Sequence, residues 1–209
     1  MKEFSVSIPD SWDDISVRIF TEMAAMKGNP FENMIKVISL LTGIEESEVK
    51  SWPVVALETS DIKQKMAFLA KEPVKRLPSE KLVLNSRRYR VNLYPATWTA
   101  AQYLDYSTVL SDESDKRIAR LIACFCVPEG KKYGEDYDFE QVVEDINDFM
   151  PITVALGYTS FFQLLLESYT KAIQRYTLKK KNGKLTQRQA RRLMKKGLKA
   201  DSTQGGTAS

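Results

Sequence analysis

The chain has 209 residues, 43% hydrophobic and 28% charged, a composition typical of a globular protein that buries a sizeable core. It contains no histidine, which excludes Ser-His and Cys-His catalytic pairs and most catalytic zinc sites. No apolar run approaches the roughly 20 residues that cross a bilayer, and the first residues lack the apolar core of a signal peptide. We therefore expect neither a membrane protein nor a secreted one. Since only carboxylate or lysine chemistry survives, we also expect a protein that is not an enzyme.

Positive charge is concentrated at one end of the chain. Ten basic residues and one acidic residue lie beyond Leu178, so the net charge of +4 leaves −5 for residues 1–178. The sequence therefore predicts a mildly acidic body followed by a strongly basic segment.

The N-terminal part is predicted to be helical after one short strand. Residues 4–8 alternate apolar side chains with serines and predict a strand. Apolar residues then recur at helical spacing, with Ser11 as the first N-cap. These stripes predict helices at 12–26, 31–41, 45–51 and 61–71.

A linker and a hairpin are predicted in the middle of the chain. Residues 71–79 contain Pro73 and Pro78 and are typical of a linker. Residues 81–84 and 89–94 flank a polar turn and predict a β-hairpin with one buried face. Because a lone hairpin is marginally stable in water, we expect it to pack on helices or to join the N-terminal strand.

The remainder is predicted to be helical, at 98–110, 114–126, 138–149 and from Pro151 to about residue 182. Cys124 and Cys126 fall in the second of these helices and are expected to be buried thiols without a mutual disulfide. Aromatic residues at helical spacing are expected to fill the core rather than to stack on bases. They are Trp98, Tyr103, Tyr106, Phe161 and Phe162.

One acidic group resembles a cation site without matching its pattern. Glu135, Asp136, Asp138 and Glu140 have the spacing of part of a calcium loop, but Gln141 stands where that loop requires glycine. Acidic residues are also favoured at a helix N-terminus, where Asp138 would be the N-cap and Gln141 would complete a capping box.

Gly130-Lys131-Lys132 suggests a phosphate-binding loop, but Phe125 occupies the place of its upstream glycine. No Ser or Thr follows the lysines, as that loop requires. We therefore expect neither a metal nor a cofactor.

The basic segment at 179–199 is the main functional signal. Residues 187–196 are predicted to form a helix capped by Thr186, with the cations on one face and Leu193 and Met194 on the other. The candidate residues for binding nucleic acid or a partner are Lys179, Lys180, Lys181, Lys184, Arg188, Arg191, Arg192, Lys195 and Lys196.

Three interpretations of this segment stay open. The first is a solvated tail, the second is a segment that binds nucleic-acid phosphates, and the third is a segment that docks on an acidic protein or membrane surface. The small apolar face favours a protein groove over firm membrane attachment. The last residues, 201–209, are small and polar and are expected to be disordered.

Several stretches of residues 8–178 carry a family resemblance. They are IPDSWDDI at 8–15, YRVNL at 89–93, WTAAQYLDY at 98–106, VPEGKKY at 127–133, YDFE at 137–140, and Phe161-Phe162. Together they resemble structural-gene-region proteins of tailed phages that infect gut Bacteroidetes.

The layout of a small helical protein with an acidic body is also similar to the tail assembly chaperones. This resemblance implies a protein that escorts the tape-measure protein by holding amphipathic helices in apolar grooves. That family is often made in two forms by a programmed frameshift, and Lys179-Lys180-Lys181 is compatible with an adenine run on which a ribosome slips. No residue of that family is carried over onto this chain.

We therefore predict a mainly α fold: a multi-helix domain with a small β-hairpin or three-stranded sheet, plus a basic C-terminal helix. The predicted domains are an N-terminal helical segment (1–72), a helical domain with the hairpin (80–178), and a basic helix with its tail (179–209). The expected function is phage tail or virion assembly by protein–protein binding in the host cytoplasm, with a place in the virion left open. The expected partner is a structural protein such as the tape-measure protein or a tail component. The alternative is a nucleic-acid-binding virion or packaging protein that uses the basic tail.

Overall fold

The computed structural model describes residues 7–57, 60–135 and 137–181. It confirms the predicted fold class, since helices dominate and one small antiparallel sheet is present. The helices are α1 (Val17–Ala24), α2 (Pro30–Thr42), α3 (Glu46–Lys50), α4 (Val54–Leu57), α5 (Ser60–Lys65), α6 (Ala100–Leu110), α7 (Arg117–Ala123), α8 (Phe139–Phe149) and α9 (Ile152–Lys181). The strands are β1 (Lys81–Leu84), β2 (Arg87–Val91) and β3 (Cys126–Pro128), and short 3₁₀ helices cover Trp12–Asp14, Met66–Ala70 and Pro95–Thr97.

The first predicted helix, at 12–26, is divided by a long-range backbone contact. Ile15 is extended, and its carbonyl accepts a 2.8 Å hydrogen bond from the Ile152 amide. The Val17 amide donates a 3.1 Å hydrogen bond to the Met150 carbonyl. The expectation of one continuous helix is therefore wrong, because residues distant in sequence pair with the backbone at this point. Ser16, which no sequence pattern marked, is the N-cap of α1.

The second helix follows its sequence signals closely. Asn29 caps α2 by accepting a hydrogen bond from the Phe31 amide, and Pro30 occupies the first turn, where its missing N–H costs nothing. Gly43 ends the helix in a left-handed conformation with φ of 71°.

The sheet has the strand order β1-β2-β3. Asn85 and Ser86 join β1 to β2 with φ values of 47° and 60°, the left-handed pair that a tight two-residue hairpin turn requires. The third strand comes from residues 126–128. The alternative expectation, that the hairpin joins the strand predicted at 4–8, is not met by the described residues. Ser7 and Ile8 belong to no strand, and the rest of the predicted strand at 4–8 lies outside the described residues.

The two cysteines lie at the end of α7 and in β3. The helix predicted at 114–126 covers only Arg117–Ala123, Cys124 follows as its C-cap, and Cys126 pairs with Val91 of β2. The helical assignment of Cys126 is therefore wrong. The expectation of buried, unbridged thiols is confirmed, because both side chains are free and fully buried.

Residues 71–79 are an extended segment that is tied to the body along its length. The Trp12 Nε1 donates to the Lys71 carbonyl at 2.7 Å, and the Arg76 amide donates to the Thr153 carbonyl at 3.0 Å. At the far end, the Tyr158 hydroxyl donates to the Ser79 carbonyl at 2.5 Å. These contacts make the segment, called the strap below, part of the packed structure rather than a free linker.

The core has two parts. A smaller cluster joins α2, α3 and α4 and consists of Ile35, Ile38, Val49, Trp52 and Leu57. The larger set of buried side chains includes residues of α7 and α8 and the first turns of α9. Its largest members are Ile122, Phe125, Ile146, Met150, Ile152 and Tyr158.

The described residues form two compact units. The first takes in the described residues up to Leu93 together with Trp98–Thr159. The second takes in Tyr94–Thr97 and the described residues from Ser160 onward. The predicted domains at 1–72, 80–178 and 179–209 divide the chain at other positions and stay a prediction.

Candidate functional site

A surface cleft of about 560 Å³ opens in the first unit. One wall is α1 with the residues that follow it, and the other walls come from α2, the start of α3, the entry to α7 and one residue of α8. Its apolar part consists of Ala25, Met26 and Leu40. Its other lining residues are polar or charged, so the cleft has a mixed lining, and its volume lies within the range of ligand-binding clefts. We call it the α1–α2 cleft.

The rim of the α1–α2 cleft carries charges of both signs. Arg18 bridges two carboxylates, with Nε 3.1 Å from Asp148 Oδ1 and Nη1 3.2 Å from Glu22 Oε1. Lys116 Nζ lies 2.5 Å from Glu144 Oε1, and this hydrogen bond raises the pKa of Lys116. These pairs hold side chains from α1, α7 and α8 in fixed positions around the opening.

Two of the carboxylates of the cleft are in ion pairs. Three line it, Glu22, Glu46 and Asp115. Lys50 Nζ lies 2.6 Å from Glu46, and its hydrogen bond holds the pKa of Glu46 below its ordinary value. A carboxyl group kept charged by a cation is a poor general acid near neutral pH. With Glu22 held by Arg18, the cleft is suited to binding.

A second exposed surface lies on α6, which has apolar residues on both sides. Gln102 and Tyr106 face inward, only 3% exposed each, whereas Tyr103, Leu104 and Leu110 are 41%, 63% and 44% exposed. The expectation that Tyr103 belongs to the core is therefore wrong. Helical spacing alone could not decide which apolar side of α6 faces inward.

The other predicted core aromatics, Trp98, Tyr106, Phe161 and Phe162, pack against other rings, and Tyr106 and Phe162 are buried. Trp98 and Tyr106 contact Phe125, with ring centroids 4.3 and 5.2 Å apart, and Tyr106 is buried. Phe162 is fully buried, and its ring lies 5.7 Å from that of Phe161. None of these rings forms an open stacking surface.

A buried carboxylate fixes the hairpin to α8. Asp145 is 1% exposed and accepts hydrogen bonds from the Tyr89 hydroxyl, from Arg87 Nη1 at 3.0 Å, from Asn85 Nδ2 at 3.4 Å and from Gln141 Nε2 at 3.0 Å. Burial alone would raise the pKa of Asp145, but the hydrogen bonds outweigh it and hold that pKa below its ordinary value. Three of these donors belong to the hairpin and one to α8, so Asp145 joins the two elements.

The acidic group at 135–140 does not converge on one point. Asp138 caps α8 by accepting from the Gln141 amide at 3.1 Å, Glu140 pairs with Arg120 at 2.8 Å, and Glu135 accepts from the Lys132 amide. The prediction that Asp138 caps this helix is confirmed. The predicted capping box is wrong, because the Gln141 side chain donates to Asp145 instead. Asp136 lies outside the described residues. Within the described ranges no group of three or more potential ligand side chains is placed to hold a metal ion.

The basic residues singled out in the sequence lie mostly beyond the described part. Lys179, Lys180 and Lys181 form the last positions of α9, of which the backbone is described. Lys184, Arg188, Arg191, Arg192, Lys195 and Lys196 lie outside the described residues. Gly130, from the rejected phosphate-loop pattern, makes a turn with φ of 82° in which the Lys131 amide donates to the Pro128 carbonyl.

Among the described helices none is both long and apolar enough to cross a bilayer. Comparison with protein-family models, with curated proteins and with solved structures finds no match for this chain.

Proposed function

We propose that this chain is an assembly factor of a tailed phage, similar to a tail assembly chaperone, that holds a helical segment of a structural partner in the α1–α2 cleft. The observation that carries the proposal is that three apolar residues, Ala25, Met26 and Leu40, line the cleft together with ion-paired side chains of both charges. Recognition of an amphipathic helix in a groove uses apolar anchors at i, i+3, i+4 and i+7, with polar contacts at the edges.

The composition of the cleft supports a peptide segment rather than a small metabolite. The cleft is lined by side chains of both charges, among them Arg18, Glu22 and Lys116. A charged side chain of the partner can therefore form an ion pair with one of them, whatever its sign. Met26 supplies a flexible thioether, the kind of side chain that adapts to varied apolar partners. The family resemblance supports the tape-measure protein as that partner.

Co-purification with the tape-measure protein tests the proposal. The unaltered chain is expected to give a soluble complex. Ala25→Glu and Met26→Glu each replace an apolar lining residue with a charged one and are expected to weaken the complex at least about tenfold. Ala25 is exposed, so its substitution leaves the core intact. A loss of thermal stability in Met26→Glu alone would show that this variant is misfolded, and Ala25→Glu then decides.

Leu104→Glu on α6 is the matched control, because it adds the same charge at an exposed apolar position outside the cleft. It is expected to leave the complex unchanged. Loss of binding with Leu104→Glu but not with the cleft variants moves the contact to α6 and rejects the cleft. Absence of any complex with the unaltered chain rejects the assembly function itself.

The alternative, a nucleic-acid-binding virion or packaging protein acting through the basic tail, depends on residues outside the described part. Gel shift with and without residues 179–209, across a salt series, tests that alternative. Binding that does not depend on those residues removes the tail from the mechanism.

A further inference from the structure

The outward face of the hairpin carries three cations and one valine. Lys81 and Val83 of β1 lie directly opposite Arg90 and Arg88 of β2, and all four side chains are exposed. On the other side of the hairpin, Leu84, Tyr89 and Val91 are buried, while Arg87 pairs with Asp145. We call the set Lys81, Val83, Arg88 and Arg90 the outer sheet face.

Two of these cations face each other at the closest kind of strand position. The Val91 amide donates a 2.8 Å hydrogen bond to the Glu80 carbonyl, so residues 80 and 91 form a hydrogen-bonded pair. The next pair, Lys81 and Arg90, is therefore a non-hydrogen-bonded pair, in which side chains lie closest. Like charges directly opposite destabilise a sheet, and an anion between them removes that cost.

The neighbouring loop extends the positive surface. Arg90 Nη2 donates to the Lys131 carbonyl at 3.4 Å, which brings the exposed Lys131 and Lys132 next to the hairpin. Within the described residues, two ion pairs of this surface are long and loosely held. Arg88 lies 3.8 Å from Glu129 and Lys132 lies 3.7 Å from Glu135, with most of these side chains in solvent. Exposed pairs at such distances contribute little and are readily exchanged for a stronger anion.

We propose that the outer sheet face binds the phosphate backbone of double-stranded DNA, independently of the cleft. The planar guanidinium groups of Arg88 and Arg90 match the geometry of phosphate oxygens. Val83 is the sole apolar side chain of the four, too little for the centre of a protein interface. No aromatic ring stands on this face, and without one there is no platform for single-stranded bases. Binding by the outer sheet face is therefore expected to depend on the charge and shape of the DNA backbone and not on the base sequence.

Fluorescence anisotropy of the full chain with a short mixed-sequence duplex, over a series of salt concentrations, tests the proposal. The double variant Arg88→Gln, Arg90→Gln removes two phosphate contacts. Its affinity is expected to fall at least about tenfold, and the slope of log K against log salt is expected to decrease in size by about 2. Arg88→Lys, Arg90→Lys keeps the charge and is expected to retain most of the salt slope.

The matched control is Lys63→Gln, Lys71→Gln, which removes the same charge from exposed positions that belong neither to the outer sheet face nor to the cleft. It is expected to leave the salt slope unchanged. Equal losses in the two double variants reduce the effect to overall charge and overturn the proposal. The proposal is also overturned if the Arg88→Gln, Arg90→Gln variant keeps the salt slope of the unaltered chain, while a variant neutralised at four tail positions no longer binds the duplex. Those tail positions are Arg191, Arg192, Lys195 and Lys196. Competition by poly-glutamate as effective as by duplex reassigns the face to acidic proteins and also overturns it.

Discussion

The Tyr89 hydroxyl donates a hydrogen bond to the Asp145 carboxylate, and this contact joins the central strand of the sheet to α8. Both groups are almost fully buried, at 3% and 1% exposure. A buried carboxylate is tolerated only when its oxygens are hydrogen-bonded, so the hairpin and α8 depend on each other.

Removing the hydroxyl group tests this dependence. Tyr89→Phe leaves the ring in place but removes one donor to a buried charge, and the expected cost in the free energy of unfolding is about 1.5–3 kcal/mol. Urea unfolding followed by circular dichroism measures it. Lys50→Ala, which breaks the exposed pair with Glu46, is the control and is expected to leave the free energy of unfolding nearly unchanged. Equal effects of the two substitutions contradict the structural role of Asp145.

Acid is expected to weaken the same junction. Folding holds the pKa of Asp145 below its ordinary value of 3.8, because hydrogen bonds from Tyr89, Arg87 and Asn85 outweigh the effect of burial. A carboxyl group with a lowered folded pKa contributes stability above its unfolded pKa and loses it as the pH falls through the folded one. The free energy of unfolding is therefore expected to decrease below about pH 4.

Asp13 adds to this acid sensitivity. Its pKa is lowered by the hydrogen bond from Thr153, 2.6 Å away, and by Arg76 of the strap. Unfolding free energies of the parent and of Asp145→Asn, measured on the way down to about pH 2, separate the two groups. The variant is expected to lose the Asp145 part of the slope and to keep the part that comes from Asp13 and the other carboxylates with lowered pKa. An identical slope in both proteins is inconsistent with the lowered pKa of Asp145.

Gly157 is required where the strap crosses α9. A Cβ at this position would lie 1.8 Å from the Arg76 carbonyl oxygen, and that oxygen belongs to backbone that the Thr153 hydrogen bond holds in place. In an open helix, Gly→Ala stabilises by about 1 kcal/mol. Here we expect Gly157→Ala to destabilise by about 1–3 kcal/mol, since the strap must move.

Thermal and urea unfolding measure the effect of Gly157→Ala, with Gln174→Ala, at an exposed position of the same helix, as the control. The control is expected to change the free energy of unfolding by less than about 0.5 kcal/mol. A stabilising Gly157→Ala would mean that the strap does not lie against α9.

Local patterns predicted the parts of this fold that local physics determines. The apolar stripe, Asn29, Pro30 and Gly43 are enough to place α2, and the polar turn between two alternating segments is enough to place the hairpin. The break at Ile15 was missed because it depends on pairing with Ile152, far along the chain. The strand at 126–128 was missed because a short apolar run reads equally as helix or strand.

The candidate surfaces were harder to predict than the fold. The α1–α2 cleft is assembled from helices that no sequence pattern places side by side, so its residues had no common signal. The outer sheet face had only part of one. Arg90 lies in the strand predicted at 89–94, but Arg88 falls in the predicted turn, and the structure extends β2 back to Arg87. Only with this longer strand do Arg88 and Arg90 lie on one side by the period of two.

The thiol groups offer a direct test of the α7–β3 junction. Cys124 and Cys126 are fully buried, and burial raises the pKa of Cys124 to about 12, so almost no thiolate forms at neutral pH. Both thiols are expected to resist alkylation in the folded protein and to react fully in urea, with native-state labelling limited by unfolding. Val83→Cys, at a position 68% exposed, is the control and is expected to react at once without denaturant. Rapid alkylation of the parent protein at neutral pH contradicts the buried placement of Cys126 in β3, because a thiol in a helix end that frays or faces solvent would be reached by the reagent.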